Sequence, residues 1–193
     1  MQILRASDRR PMPWKNGGGS TTEIAIGPVG ASLDAFDWRI SMAQVASDGP
    51  FSNFPGIDRT LAVIRGDGME LTIGDQTAVV LGCKSAPLGF PGDAPATARL
   101  LAGEITDLNV MTRRGRFGHR VVCVTQPMDC RFDGDDIAIV LSLDGTTDVS
   151  VSGEHATLEH ADAVLIEARK TSTFQIRPAG QCYLIWLSSA LTA

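Results

Sequence analysis

Short stretches in which hydrophobic and polar residues alternate run through most of the chain. Alternation with a period of two is typical of strands that bury one face and expose the other. Turn signals separate the stretches, among them SDGP, FPG, RGDG, LDGTT and RPAG. No stretch has the long apolar stripe, with a period of 3.6 residues, that marks an amphipathic helix. The pattern therefore predicts an all-β protein, built as a sandwich or a barrel.

Two segments of the chain repeat the same order of strands and turns. LAVIRGDGMELTIGDQTAVVL begins at Leu61, and IAIVLSLDGTTDVSVSGEHATL begins at Ile137. Their separation exceeds the period of solenoid repeats and is typical of a whole small domain. We therefore expect a duplicated β-structure with an N-terminal barrel over residues 1–115 and a C-terminal barrel over residues 116–193. The join would fall near TRRGRFGHR, where the apolar pattern is interrupted.

Composition and charge narrow the class of partners. The 193 residues carry a formal net charge of -5, which argues against attraction to nucleic acid or to an anionic membrane. The one basic cluster, MTRRGRFGHR, is expected to be a solvated linker, with a nucleic-acid or partner contact as the alternative. The N-terminus lacks the apolar core of a secretory signal, and the apolar runs are too short to span a bilayer. Four cysteines without a C-x-x-C pair suit a reduced compartment, so a cytoplasmic location is predicted.

Metal and nucleophile chemistry have little support in the sequence. A site of several histidines usually contains an H-x-H pair on one strand, but this chain has only His119, His155 and His160. If HATLEH formed one strand, the offset of five would place its two histidines on opposite faces. The chain also lacks a G-x-S-x-G elbow and a recognisable cysteine active site. We therefore predict no metal, no cofactor and no catalytic nucleophile.

Polar residues at alternating positions of two predicted strands are candidates for a binding site. In FDWRISMAQV, alternation places Arg39 and Ser41 on one face, opposite the large hydrophobic residues. In TTEIAI, it places Glu23 on the face opposite Ile24 and Ile26. These polar side chains either line a second, polar space such as a barrel lumen, or face water on an ordinary amphipathic sheet.

The segment GPFSNFPGIDRTL adds three polar residues around a Pro-Gly turn, namely Asn53, Asp58 and Arg59. Arg59 begins an apolar strand, and its planar guanidinium suits a carboxylate because it donates two parallel hydrogen bonds. The alternative is a turn or surface position for Arg59. Asp58 either orients Arg59 or caps the turn.

Two further candidates come from GFPGD and DLNVM. Asn109 faces away from Leu108 and Val110, and its amide offers a donor and an acceptor to a ligand. Satisfaction of a buried backbone group is the alternative for Asn109. Phe90 either closes a pocket as an apolar lid or belongs to the core.

The stretch WKNGGGSTTEI resembles a phosphate-binding loop only superficially. Lys15 precedes the glycines, whereas a P-loop needs its lysine after them and at the start of a helix. One interpretation is a hairpin with a glycine-rich bulge. The other is a pocket wall, in which Trp14 supplies an apolar face and Lys15 and Asn16 supply donors.

Several of these motifs occur together in one known family. MPWKNGGGSTTEIA, FDWRISMAQVASDGPFSNFPGIDRTL, GDGMEL, GFPGD and DLNVMTRRG follow one another from about residue 11 to about residue 115. In this respect the chain strongly resembles the HutD/Ves family. The resemblance implies a bicupin, that is, two small RmlC-like antiparallel β-barrels in one chain. It also implies a link to bacterial histidine utilisation, or, in the Ves branch, to a stress response.

The resemblance also implies a function. Members of the family are expected to bind a small acidic metabolite, with N-formylglutamate as the proposed ligand, and to moderate the pathway rather than catalyse a step. The alternative is a cofactor-free isomerase or hydrolase that acts on a similar acid, with Glu23 and Lys15 as its acid and base. A protein whose barrels bind no ligand and act through protein contacts is a third possibility. A homodimer is left open.

Overall fold

Nearly all of the regular structure is β-strand, which confirms the all-β prediction. The computed structural model describes residues 1–190. Within that range the helical element is a short 3-10 helix (Ala6–Asp8). No helix in the described part of the chain has the length and apolar character needed to cross a membrane.

Nineteen strands follow one another within residues 1–190. In order, they are β1 (Gln2–Leu4), β2 (Met12–Pro13), β3 (Gly19–Gly27), β4 (Trp38–Val45), β5 (Gly49–Pro50), β6 (Ile57–Arg65), β7 (Met69–Ile73), β8 (Val79–Leu81), β9 (Leu88–Pro91), β10 (Ala96–Leu100), β11 (Ile105–Arg113), β12 (Phe117–Val124), β13 (Met128–Arg131), β14 (Ile137–Asp144), β15 (Thr147–Val151), β16 (Glu154–Leu158), β17 (Ala163–Glu167), β18 (Thr173–Pro178) and β19 (Gln181–Ser189).

The chain divides into two compact units. The N-terminal unit comprises Arg10–Arg116, and the C-terminal unit comprises Met1–Arg9 together with the chain from Phe117 onward. The predicted division at residue 115 assigned residues 1–9 to the N-terminal barrel, whereas the structure places them in the other unit. The reason is that β1 pairs antiparallel with β17, with Ile3 opposite Val164.

Two sheets form the N-terminal unit. The six-stranded sheet has the order β2-β3-β4-β11-β6-β9, and the four-stranded sheet has the order β5-β10-β7-β8. Hydrophobic side chains of both sheets share one core, to which β6 contributes Leu61 and Val63 and β7 contributes Met69 and Leu71. The face of the six-stranded sheet that carries Leu61 and Val63 is therefore its inner face.

The C-terminal unit repeats this plan. Its sheets have the orders β1-β17-β14-β19-β12 and β13-β18-β15-β16, around a core of its own. The order β4-β11-β6-β9 of the first unit corresponds to β12-β19-β14-β17 of the second, and β5-β10-β7-β8 corresponds to β13-β18-β15-β16. The repeat seen in the sequence thus corresponds to eight strands in each unit, arranged in two open sheets.

A bulge in β3 overturns one assignment of faces. The register between β3 and β4 shifts between Glu23 and Ala25, so Ile26 lies opposite Arg39. Alternation had placed Ile26 on the face opposite Glu23, and that prediction is wrong. The extra residue in the bulged strand reverses the alternation beyond it, which brings Ile26 onto the same face as Glu23 and Arg39.

Candidate functional site

The inner face of the six-stranded sheet carries a group of polar side chains, here called the polar cluster. Four neighbouring strands supply them, because positions two residues apart on a strand share a face and antiparallel pairing aligns the strands. Its members are Glu23, Arg39, Ser41, Arg59, Asp107 and Asn109. In the register of the sheet, Asn109 lies opposite Ser41, and Met111 lies opposite both Arg39 and Arg59.

Arg59 is the buried cation of the cluster, with 4% of the residue exposed. Its Nε donates a hydrogen bond of 2.7 Å to Oδ1 of Asn109, and Nη2 donates to the same oxygen. Its guanidinium carbon lies 4.6 Å from the ring centroid of Phe51 and 5.4 Å from that of Phe90. Burial lowers the pKa of Arg59 to about 10, against the opposing effect of Asp107, so the side chain remains charged at neutral pH.

Asp107 is the buried anion that accompanies Arg59. Its Oδ1 accepts a hydrogen bond from Nδ2 of Asn109, so one amide links the guanidinium to the carboxylate. Among residues 1–190, no group donates a hydrogen bond to the buried Oδ2. Burial raises the pKa of Asp107 to about 7, although Arg59, Asn109 and the backbone N–H of Ala43 oppose the shift. An unpaired buried acceptor costs about 1–3 kcal/mol, and more when it is charged, so the ionised form of Asp107 carries a penalty.

Arg39, Glu23 and Ser41 form the second half of the cluster. Nε of Arg39 donates to Oε2 of Glu23 over 2.8 Å, and Nη1 donates to Oγ of Ser41 over 3.5 Å. The side chain of Arg39 is 5% exposed, whereas that of Glu23 is 33% exposed. The cluster therefore runs from a fully buried carboxyl group at Asp107 to a carboxylate at Glu23 that water reaches.

The WKNGGG stretch forms the tight hairpin between β2 and β3. The backbone N–H of Trp14 donates to the carbonyl of Gly19 over 2.9 Å, and Gly17 has a φ of 72°. The indole Nε1 of Trp14 donates to Oγ1 of Thr21 over 2.8 Å, and its ring packs against the core. Lys15 and Asn16 are exposed, and Asn16 closes the turn by accepting a hydrogen bond from the backbone N–H of Gly18. The predicted hairpin is present, but the bulge of β3 lies after Glu23 and not at the glycines. Of the three predicted wall residues, Trp14 packs against the core.

Gly19 is required where the hairpin meets β4. A Cβ atom at this position would lie 2.1 Å from the carbonyl oxygen of Gln44 and 2.9 Å from the ring of Trp14. We expect Gly19→Ala to lower the free energy of unfolding by about 1–3 kcal/mol, because a backbone strand must move. Urea denaturation of the variant and the wild type would measure this change in the free energy of unfolding.

Gly89→Ala is the matched control for this substitution. The nearest atom to its added Cβ would be Oγ1 of Thr60 at 3.5 Å, an ordinary contact, and we expect a change within about 0.5 kcal/mol. Equal effects of the two substitutions would show that the approach of Gly19 to β4 is unimportant.

Two predicted candidates lie outside the polar cluster. Asp58 precedes Arg59 on β6, so its side chain points to the other face, where it accepts a hydrogen bond of 2.8 Å from Arg114. The suggestion that Asp58 orients Arg59 is therefore wrong. Asn53 is exposed in the loop before β6. Phe90 belongs to the core, and its ring also lies against the guanidinium of Arg59.

The basic segment is neutralised within the N-terminal unit. Arg114 pairs with Asp58 and also with Asp93, 3.1 Å away. Arg116 pairs with Asp37 over 3.0 Å. These arginines therefore serve a structural role in the turn that follows β11.

The histidines do not converge. His155 lies on β16, which ends at Leu158, so His160 falls outside that strand. Nδ1 of His155 lies 2.8 Å from Oγ of Ser150. In the described part of the chain, no group of three His, Cys, Asp or Glu side chains is placed to hold a metal ion.

A shallow depression of about 570 Å³ lies on the outer face of the four-stranded sheet of the C-terminal unit. Its lining includes Asp129, Ser150, His155 and Gln175. These polar groups already bond to one another, since Gln175 donates to Asp129 over 2.8 Å and Ser150 bonds to His155. The polar cluster differs from this depression because it buries the charged groups of Arg59 and Asp107 and holds an unpartnered carboxylate oxygen, so it is the better candidate for a specific site.

Sequence reasoning missed two members of the arrangement around Arg59. Asp107 lies two residues before Asn109 in DLNVM and therefore shares its face, so the sequence already indicated an acidic residue beside Asn109. Phe51 lies in an irregular loop, where no periodicity indicates the direction of its side chain.

The comparisons with known proteins agree with one another. A family model described as HutD matches residues 6–184. The structure of HutD from Pseudomonas fluorescens SBW25 is 34% identical, with a TM-score of 0.83, and the match covers 97% of this chain and 98% of that chain. An uncharacterised 21.2 kDa protein from the hutC 3′ region of Pseudomonas putida is 40% identical over 121 residues, which is 63% of each chain. Protein Ves of Citrobacter koseri is 40% identical over 113 residues, which is 56% of this chain and 58% of Ves.

A more distant likeness defines the fold class. A cupin 2 conserved barrel domain protein from Leptotrichia buccalis is 9% identical, with a TM-score of 0.58 over 93% of this chain and 96% of that chain. At that identity the likeness shows the fold alone. The N-terminal and C-terminal units are thus parts of a cupin-like β-structure. The matches to the two sequence relatives span about three fifths of the length of those proteins.

Proposed function

The chain belongs to the HutD family, and from that premise we propose that it binds a small acidic metabolite in the polar cluster of the N-terminal unit. Its role is to moderate histidine utilisation by binding, not to turn the metabolite over. The ligand we propose is N-formylglutamate, bound without a metal or another cofactor.

The observation that carries this proposal is the buried guanidinium of Arg59. Among the described residues, its hydrogen bonds use Nε and Nη2, both directed at Asn109, which leaves Nη1 for a ligand. The rings of Phe51 and Phe90 exclude water from the guanidinium, and low polarity strengthens a charge-assisted hydrogen bond. A carboxylate is the group that such a donor recognises best.

The rest of the cluster suits the other groups of N-formylglutamate. Ser41 and Asn109 offer short polar side chains to a formyl amide. Arg39 is a second cation for the second carboxylate, and its partner Glu23 lies where water reaches the cluster. Lys15, exposed in the neighbouring hairpin, would meet the ligand from the solvent side.

We also propose that each unit is a small cupin barrel, so that the chain is a bicupin. The two units support this because eight strands of each follow the same order in two sheets. A cytoplasmic location is part of the same proposal, since histidine utilisation is an intracellular process.

Calorimetry with N-formylglutamate tests the proposed function. We expect binding to the wild type and a loss of roughly 10- to 100-fold in Arg59→Lys, because lysine keeps the charge but lacks the planar fork. The free energy of unfolding should rise by about 2.7 kcal/mol at a ligand concentration of 100 Kd.

Arg114→Lys is the matched control, because Arg114 is an exposed arginine of the same unit and pairs with Asp58 and Asp93. We expect it to bind the ligand as the wild type does. Mass spectrometry of the recovered ligand completes the experiment. An unchanged mass supports a binding protein, whereas conversion of the ligand would establish the enzyme alternative. Absence of binding would contradict the proposed function.

A further inference from the structure

We propose that Asp107 takes up one proton when a carboxylate ligand binds beside Arg59. This inference rests on the proposed function and concerns the same site. The proton comes from water or buffer, and it resides on the carboxyl group of Asp107 for as long as the ligand is bound. The site would then recognise an anion and a proton together.

The side chain of Asn109 links those of Arg59 and Asp107. Arg59 is the buried cation joined to Asp107, and Asn109 connects the two because its carbonyl faces the guanidinium and its NH₂ faces the carboxylate. A ligand carboxylate at Arg59 brings a second negative charge to this cation. Two anions near one cation in a dry interior repel each other, and protonation of one of them removes the repulsion.

The charges around Asp107 favour this response. Arg59 of β6 is the charge that attracts Asp107, while Arg39 of β4 is engaged by Glu23 of β3. Asn109, on the same strand as Asp107, is neutral. Across the core, the buried residues of the four-stranded sheet among those described are hydrophobic, namely Met69, Leu71, Ile73, Leu81, Ala96 and Ala98. Arg59 is therefore the cation that stabilises the charge of Asp107, and a ligand carboxylate at Arg59 would compete for it.

The unpartnered oxygen is the second, independent observation. Oδ2 of Asp107 is buried, and no group among residues 1–190 donates a hydrogen bond to it. A carboxylate oxygen can only accept, but a protonated carboxyl group gains an O–H donor. The ionised form thus places a charged acceptor without a partner in the interior, whereas the protonated form has no charge to desolvate. Burial also brings the pKa of Asp107 to about 7, so the proton is accessible at neutral pH.

The pH dependence of N-formylglutamate binding tests this inference. Below about pH 6, Asp107 is already protonated, and we expect a constant Kd. Above about pH 7, proton uptake must accompany binding, so the Kd should rise toward tenfold per pH unit. Calorimetry at about pH 8 in phosphate and in Tris, which differ in ionisation enthalpy, should report an uptake approaching one proton per ligand.

Asp107→Asn should remove both the pH dependence and the proton uptake. Asp58→Asn is the matched control, because Asp58 lies on the adjacent strand but faces the other way, toward Arg114. It should keep the dependence of the wild type. Carbon-13 NMR of the Asp107 carboxyl group in the wild type, titrated with and without N-formylglutamate, gives the same answer without relying on a variant.

The outcomes separate the two proposals. Proton uptake that disappears in Asp107→Asn, or an Asp107 titration that moves to higher pH with the ligand, supports the inference. Binding with a Kd that is constant from about pH 6 to pH 9, without proton uptake, overturns it and leaves the proposed function intact. Absence of binding at every pH contradicts the proposed function, and the inference fails with it.

Discussion

Arg59→Met is expected to lower the free energy of unfolding by about 3–5 kcal/mol, the range observed when one member of a buried ion pair is removed. The substitution leaves Asp107 buried without its cation and Oδ1 of Asn109 without its two donors. Methionine fills part of the space between Phe51 and Phe90, so most of the loss reflects unpaired polar groups rather than a cavity. Urea denaturation at about pH 8, where Asp107 is largely ionised in the wild type, would measure the effect.

Two further variants identify the cause of this loss. Arg114→Met removes an arginine that also pairs with carboxylates but is exposed, so its effect should be far smaller. Asp107→Asn introduced into Arg59→Met should recover part of the stability, with a coupling free energy of about 1–3 kcal/mol, because the amide needs no counter-charge. If the losses of unfolding free energy in the two single variants add up to the loss in the double variant, Arg59 and Asp107 act independently.

The alternation of residues was enough to predict the strands and several of their faces. FDWRISMAQV became β4 with Arg39 and Ser41 on the inner face, and DLNVM lies within β11 with Asn109 on the inner face. Residues two positions apart on a strand share a face, so the alternation indicated which side chains lie together, although both faces of β4 and β11 are buried. The repeat likewise anticipated the matching strand orders of the two units.

The same reasoning failed where the period is interrupted. The bulge at β3 reversed the face of Ile26, because one inserted residue changes the side of every residue beyond it. The N-terminal segment was assigned to the wrong neighbour, because the pairing of β1 with β17 joins residues more than 150 positions apart. Non-local pairing of this kind leaves no local signal.

The site was predicted as separate residues rather than as an arrangement. Arg59 and Asn109 were both candidates, but their hydrogen bond depends on the register between β6 and β11, which the sequence does not reveal. Lys15 was a candidate because it belongs to a polar motif, yet the turn exposes it. The motifs identified the strands that carry the polar cluster, but only the register between paired strands showed which side chains contact one another.

The wild type should lose stability relative to Asp107→Asn as the pH rises. The pKa of Asp107 is about 7 in the folded protein, whereas an unfolded aspartate has a pKa of about 3.9. Between these values the folded state binds the proton and the unfolded state does not, so the free energy of unfolding falls with pH. The expected slope is about 1.4 kcal/mol per pH unit, or roughly 4 kcal/mol in all, with a plateau above about pH 7.

The difference in unfolding free energy between the wild type and Asp107→Asn isolates the carboxyl group of Asp107, because all other carboxyl groups titrate in both proteins. Asparagine can keep the hydrogen bond from Asn109, so the fold should survive. Asp93→Asn provides a control of opposite sign. The hydrogen bond from Arg114 lowers the pKa of Asp93, and its contribution to stability is therefore lost as the pH falls. Urea denaturation from about pH 3 to about pH 9 measures all three proteins, because the contribution of Asp93 is lost only below about pH 4. A constant difference between wild type and Asp107→Asn would mean that Asp107 stays ionised, and that Arg59 outweighs the cost of burial.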